Sequence, residues 1–145
     1  MPDWSNKKLK EIRDFIIKYV NALNAKNYQL ICECFANNGI LHRGMKNYVG
    51  RDEIIKWYKS QLDTGDVKFE LKDASAGILP DSSAKCILWF EICARGYGRE
   101  KKDIYVESID LGKNNNFWQI ERCFGIGYDP EYHKKYFKSA TDEIK

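Results

Sequence analysis

No stretch of the 145-residue chain approaches the roughly 18 apolar residues of a membrane-spanning helix, which argues against a helical membrane protein. No two cysteines form a C-x-x-C pair, and no Cys/His spacing matches a zinc site. The five cysteines, Cys32, Cys34, Cys86, Cys93 and Cys123, are an odd number and read as small buried hydrophobes in a reducing compartment, not as a disulfide framework. No metal and no cofactor is expected. An excess of one charge is also lacking: 24 Lys and Arg against 21 Asp and Glu leave +3, with no strong electrostatic reason to expect nucleic acid or a membrane as partner. The opening MPDWSNKKLKEIRD has neither an apolar core nor a small-residue cleavage site, so a secretory signal is not expected and a cytoplasmic location is the default expectation. Internal repeats, low-complexity tracts and a complete catalytic motif are absent as well.

What is present is core material. With 43% hydrophobic and 14% aromatic residues, the chain suits one domain, expected over residues 1–128 with a helical tail over 129–145. Leu9, Ile12, Ile16, Tyr19 and Leu23 recur at the spacing of one buried helix face, with Ser5 as N-cap and Trp4 with Leu9 as a hydrophobic staple. Asn24, Lys26 and Asn27 mark its end. A short second helix is expected over Tyr28 to Ala36, a turn at Asn37, Asn38 and Gly39, and a strand over Ile40 to Met45 with Leu41 and Arg43 on one face and His42 on the other. Gly50 precedes a third helix carrying Ile54, Trp57, Tyr58 and Leu62.

Beyond Gly65 the period changes to two. Val67, Phe69 and Leu71 share a face, and Lys85 to Ala94 is apolar on both faces, Leu88, Phe90 and Ile92 against Ile87, Trp89 and Cys93. Two more strands follow, Ile104 to Leu111 and Phe117 to Phe124, joined by GKNNN. Helices followed by strands with hairpin-length links predict an α+β domain with one curved antiparallel sheet wrapped by N-terminal helices into a cone around a pocket. The tail, DPEYHKKYF, predicts a last helix with Asp129 as its cap.

Polar residues on apolar faces are the candidate site. Pairing Leu111 with Trp118 across the last turn sets Glu107 opposite Arg122, two charged intruders expected to form a salt bridge, either as bracing alone or also in contact with ligand. Arg43 either binds an acidic group with Arg122, gives Glu107 another partner, or sits in water at the pocket mouth. Tyr19 is the candidate for a further polar contact, and Phe35, Tyr58, Leu88, Phe90 and Trp118 supply apolar walls. Arg43, Glu107 and Arg122 together would leave one excess positive charge, which fits a small molecule with an anionic or strongly accepting head and an apolar body.

The segment YVNALNAKNYQLICECFANNGI, the following GRDEI and a closing Phe124-Gly125 resemble the nuclear transport factor 2-like superfamily, most closely ketosteroid isomerase and SnoaL-like proteins. The resemblance covers nearly the whole chain to Gly125. It implies the cone-shaped fold, and it places the oxyanion-hole tyrosine of the isomerase at Tyr19 and its second, protonated acid at Glu107. The general-base position falls on Arg43, which stays protonated and cannot abstract a proton near neutral pH, so steroid-type isomerisation by the family route is not expected. The expected function is therefore small-molecule binding. The alternatives are an isomerase, dehydratase or hydrolase acting through Tyr19, Glu107 and an arginine, or a dimeric interaction module; a homodimer through the outer face around Ile87 and Trp89 is expected. Nucleic-acid binding by Lys134, Lys135 and Lys138 among the tail aromatics is the least favoured reading.

Overall fold

A computed structural model describes residues 6–43, 45–63, 66–96 and 99–127. The expected Ser5 cap, the Trp4 staple and the tail helix lie outside them. Helix α1 (Lys7–Ala25) begins at Asn6, whose Oδ1 accepts from the backbone N–H groups of Lys8 and Leu9 at 2.9 and 3.3 Å, so the cap falls one residue after the expected serine. Its buried stripe contains Ile12, Phe15, Ile16, Tyr19 and Leu23, as the spacing predicts. Lys26 ends it in the left-handed region, and Asn27 caps α2 (Tyr28–Cys34).

The expected turn at Asn37 to Gly39 is instead strand. β1 (Phe35–Arg43) runs through it, with an irregularity in its pairing between Phe35 and Ile40, so the Asn-Gly signal marks a bulge here. β2 (Lys46–Val49) pairs back on β1, and Gly50, at φ 87°, opens α3 (Arg51–Leu62) in a conformation that a side chain would strain. β3 (Asp66–Ile78), β4 (Ala84–Gly96), β5 (Arg99–Asn114) and β6 (Phe117–Gly127) form a meander. The six strands lie in the order β2-β1-β6-β5-β4-β3, a curved sheet that does not close on itself.

One pairing departs from the expected antiparallel sheet: β1 and β6 run parallel. No hairpin can make such a pair, and these strands come from opposite ends of the described chain, so nothing in the local period announces it. α1 packs along β3 while α3 lies against β1 and β2. Between helices and sheet, Ile12, Tyr19, Ile31, Phe35, Leu41, Leu88, Phe90, Ile109 and Ile120 form a core. On the outer face Trp89 is 8% exposed within the single chain, so the apolar patch expected to drive dimerisation is not open at its largest residue. Among the described residues no helix is long and apolar enough to cross a membrane.

The last hairpin is tighter than the GKNNN reading assumes. Asn114 faces Phe117 across a two-residue turn, Asn115 and Asn116, both at positive φ (53° and 67°), and a register shift follows in which Glu121 is the extra residue. The turn is testable by urea denaturation: Asn116→Gly should leave stability level or raise it slightly, whereas Asn116→Val should lower it by about 1–2 kcal/mol, the cost of a left-handed branched residue. Equal midpoints for the two variants would contradict the turn geometry.

Candidate functional site

The extra residue in β6 decides which side chains meet. Upstream of it Ile120 faces the core opposite Leu111; downstream, Cys123 pairs with Ile109 and Gly125 with Glu107. A one-residue insertion exchanges the two faces of everything beyond it. Arg122 therefore lies opposite Asp110, exposed on the outer face, and the expected Glu107–Arg122 bridge does not form. The parallel neighbour agrees: Leu41 pairs with the buried Cys123, while His42 pairs with Phe124 outside, their rings 5.7 Å apart. His42 accordingly points away from the core side, hydrogen-bonded to Asn47 at 2.6 Å.

Glu107, 2% exposed, is the single buried charged residue among those described, and its partner is Arg43 at 3.4 Å. Tyr19 donates to the same carboxylate at 3.0 Å, and the Cys123 thiol does so at 3.0 Å. Tyr58 lies 2.8 Å from the Tyr19 hydroxyl. Because the one proton of Tyr19 goes to Glu107, Tyr58 is the donor in that second bond. Burial, and after it the Glu107 charge, pushes the phenols of Tyr19 and Tyr105 well above their usual range; burial is also the leading cause for Tyr58 and Cys123. All four stay protonated near neutral pH, and Tyr19, Tyr58 and Cys123 serve as donors.

Arg43 is held on every side. One Nη donates to the His42 carbonyl at 3.0 Å and the other lies 3.7 Å from Cys123 Sγ, while the guanidinium packs 5.2 Å from the Trp57 ring centroid and 5.5 Å from that of Tyr105. Gly125 makes room for this. A Cβ there would fall 1.7 Å from the Tyr105 hydroxyl and 2.9 Å from Arg43 Nη1.

Beside this cluster opens a cavity of about 410 Å³. α3 presents Trp57, Tyr58, Gln61 and Leu62 to it, successive turns of one face, and α1 adds Leu23. Val67 and Phe69 of β3 and Ile92 of β4 form the opposite wall, and Arg43, Tyr105 and Glu107 the polar end. Of the residues expected from the sequence, Arg43, Tyr58 and Glu107 line the cavity, and Tyr19 stands directly behind Glu107. Phe35 and Phe90 are fully buried supports, Phe35 edge-on to Tyr19 and Phe90 edge-on to the wall residue Phe69. Leu88 is core, and Trp118 is buried beside Lys113 near the hairpin, so neither is a wall. Among the site residues not expected from the sequence, Tyr105 lies on the face of Glu107 where the alternation sets it, whereas Cys123 lies on the face that the alternation gives to Arg122. The signal for Cys123 is its type: cysteine is among the most often buried residues and its neighbour arginine among the least.

No cluster of metal-ligating groups occurs among the described residues. The coupling within the polar end is measurable. Removing either partner of the buried pair, by Glu107→Leu or Arg43→Met, should cost about 3–5 kcal/mol, because the other charge loses its counterion. The double variant should lose less than the sum, by about 1–3 kcal/mol in urea denaturation; strict additivity would mean that the two groups do not interact.

Comparison with known proteins agrees with this architecture. Residues 7–74 match the family model of the SnoaL-like domain, and no curated protein matches by sequence. Among solved structures, a protein with a cystatin-like fold from Caulobacter vibrioides superposes with a TM-score of 0.79 at 18% identity, covering 93% of this chain and 99% of its own. A proposed dehydratase of the NTF2-like family from Streptomyces avermitilis gives 0.75 at 12% identity, covering 84% and 97%. A proposed aromatic ring hydroxylase from Novosphingobium aromaticivorans gives 0.76 at 14%, covering 90% and 94%. At these identities the likeness is one of fold. With a SnoaL-like match over its helices and first strands and cystatin-like, NTF2-like neighbours over most of its length, the chain has the fold of the nuclear transport factor 2-like superfamily.

Proposed function

We propose that the protein binds a small, mainly apolar and uncharged molecule in the cavity between α3 and the sheet. The observation that carries this reading is the pairing of the cavity's two charged lining residues with each other: Arg43 and Glu107 sit 3.4 Å apart, so the polar end has no net charge while the walls are aliphatic and aromatic. The excess positive charge expected from the sequence depended on Arg122, which faces away. An anionic head is thereby disfavoured, since it would approach the Glu107 carboxylate without an unpaired cation to receive it.

A thermal-shift series distinguishes the two ligand classes. A neutral ring compound present at about 100 times its Kd should raise the melting temperature by about 5–10 °C. The carboxylate of the same skeleton should do clearly less. A larger shift with the acid would reverse the charge argument.

Catalysis is the second reading, favoured by the presence of Glu107 on the cavity wall. Its geometry speaks for a braced carboxylate: Oε1 is engaged by Tyr19 and Cys123, and Oε2 by Arg43. The Tyr19 hydroxyl, to which the resemblance gives the oxyanion-hole role, donates to Glu107. Ketosteroid isomerisation above background is therefore not expected in a direct absorbance assay. Turnover that disappears in Tyr19→Phe would show that the cluster does chemistry.

A further inference from the structure

We infer that the outer face of the sheet around Trp89 and Val106 is the docking surface for the chain's own C-terminal segment, residues 130–140, laid across β5 and β4 as an amphipathic helix. Trp89 and Val106 pair with each other, on the side of the sheet opposite Leu88, Phe90 and Glu107. They are 8% and 3% exposed in the single chain, yet alone among the buried apolar residues described they stand outside the core between helices and sheet. The described helices pack on the other face. Side chains on an open sheet face keep their upper surface in water, so burial this complete requires a cover, and in a single chain that cover comes from the chain itself. Ile104 and Phe124 on the same face remain 42% and 36% exposed, so the cover is narrow.

The position and composition of the remaining chain fit such a cover. β6 ends with Ile126 paired to Val106 and Gly127 to Tyr105, so residues 128–145 leave the sheet beside the covered spot. The sequence predicts a helix there, opened by Asp129 and Pro130. At about 100° per residue, Tyr132, Tyr136, Phe137 and Ala140 fall within an arc of about 140°, with Lys134 and Lys135 on its two flanks. About ten helical residues span roughly 15 Å, enough to pass from β6 over β5 and β4 at about 4.8 Å per strand. Next to Trp89 the face is acidic. Asp73 pairs with Trp89, Glu70 and Glu91 stand directly opposite each other, and Lys72 is shared between those two at 3.0 and 3.9 Å. Like charges paired across strands are destabilising, and the flanking lysines, whose long apolar stems lie over indole and aliphatic surface, offset them.

The test uses the full chain, parent against the double variant Tyr136→Ser and Phe137→Ser, with limited trypsin digestion and carbodiimide cross-linking of mixed isotope-labelled and unlabelled protein. Cleavage after Lys134 should be about tenfold faster in the variant, because the protease cuts the segment only when it is released from the sheet. Cross-links from Lys134 or Lys135 to Glu70, Asp73 or Glu91 should join peptides of one isotopic label in the parent and disappear in the variant. Equal cleavage rates, or a parent without such links, overturn the inference. Links that combine both labels give the face to a second copy and overturn it as well. The links in the parent test the contact even where the variant fails to fold.

Discussion

The buried ion pair between Arg43 and Glu107 is the constraint around which the rest of the polar end is arranged. A carboxylate 2% exposed to solvent is tolerable only with its charge opposed and its lone pairs occupied, and here a guanidinium, a phenol and a thiol do so together. Each comes from a different element: Arg43 from the end of β1, Tyr19 from the middle of α1, Cys123 from β6 beyond the bulge. The pair thus ties the sheet's parallel junction to the helix that covers it. Moving β1 by one residue would leave the Glu107 charge unpaired in the core, and moving α1 or β6 would remove one of its hydrogen bonds.

That arrangement also accounts for the character of the cavity. Tyr58 links α3 to the cluster through Tyr19, and the aromatic contacts of Phe35 with both tyrosines hold the two helices at a fixed distance over the sheet. With Trp57 and Tyr105 flanking Arg43, the polar end is rigid and electrically balanced, and the space that remains is bounded by Leu23, Leu62, Val67, Phe69 and Ile92. The packing of these side chains against one another orders the walls of that space in advance. Asn24 adds to this at the rim: its amide accepts from and donates to the backbone of Phe69, at 2.7 and 2.9 Å, occupying part of the exposed edge of β3.

Much of this was legible without coordinates. The helical period of Ile12, Ile16, Tyr19 and Leu23, the alternation of Val67, Phe69 and Leu71, and the placement of His42 outside and Arg43 inside all follow from local periodicity, and local periodicity reports which face of an element seeks the core. The resemblance to nuclear transport factor 2-like proteins holds at the level of fold. Glu107 and Arg43 stood out from the sequence because a charge on an apolar face requires a reason.

Which partner Glu107 takes was decided by tertiary structure. Asn115 and Asn116 permit a two-residue turn, but a permitted turn is only one of several, and the bulge at Glu121 has no local signature. It exists because β6 must satisfy two neighbours at once, β5 antiparallel and β1 parallel, while burying Cys123 and not Arg122. The sequence by itself determined the elements, their buried faces and the polar residues that would have to be compensated. The exchange of Arg122 for Arg43 at Glu107 depends on a register set by contacts between strands far apart in the chain, where the balance is struck among competing pairings and not within any one segment.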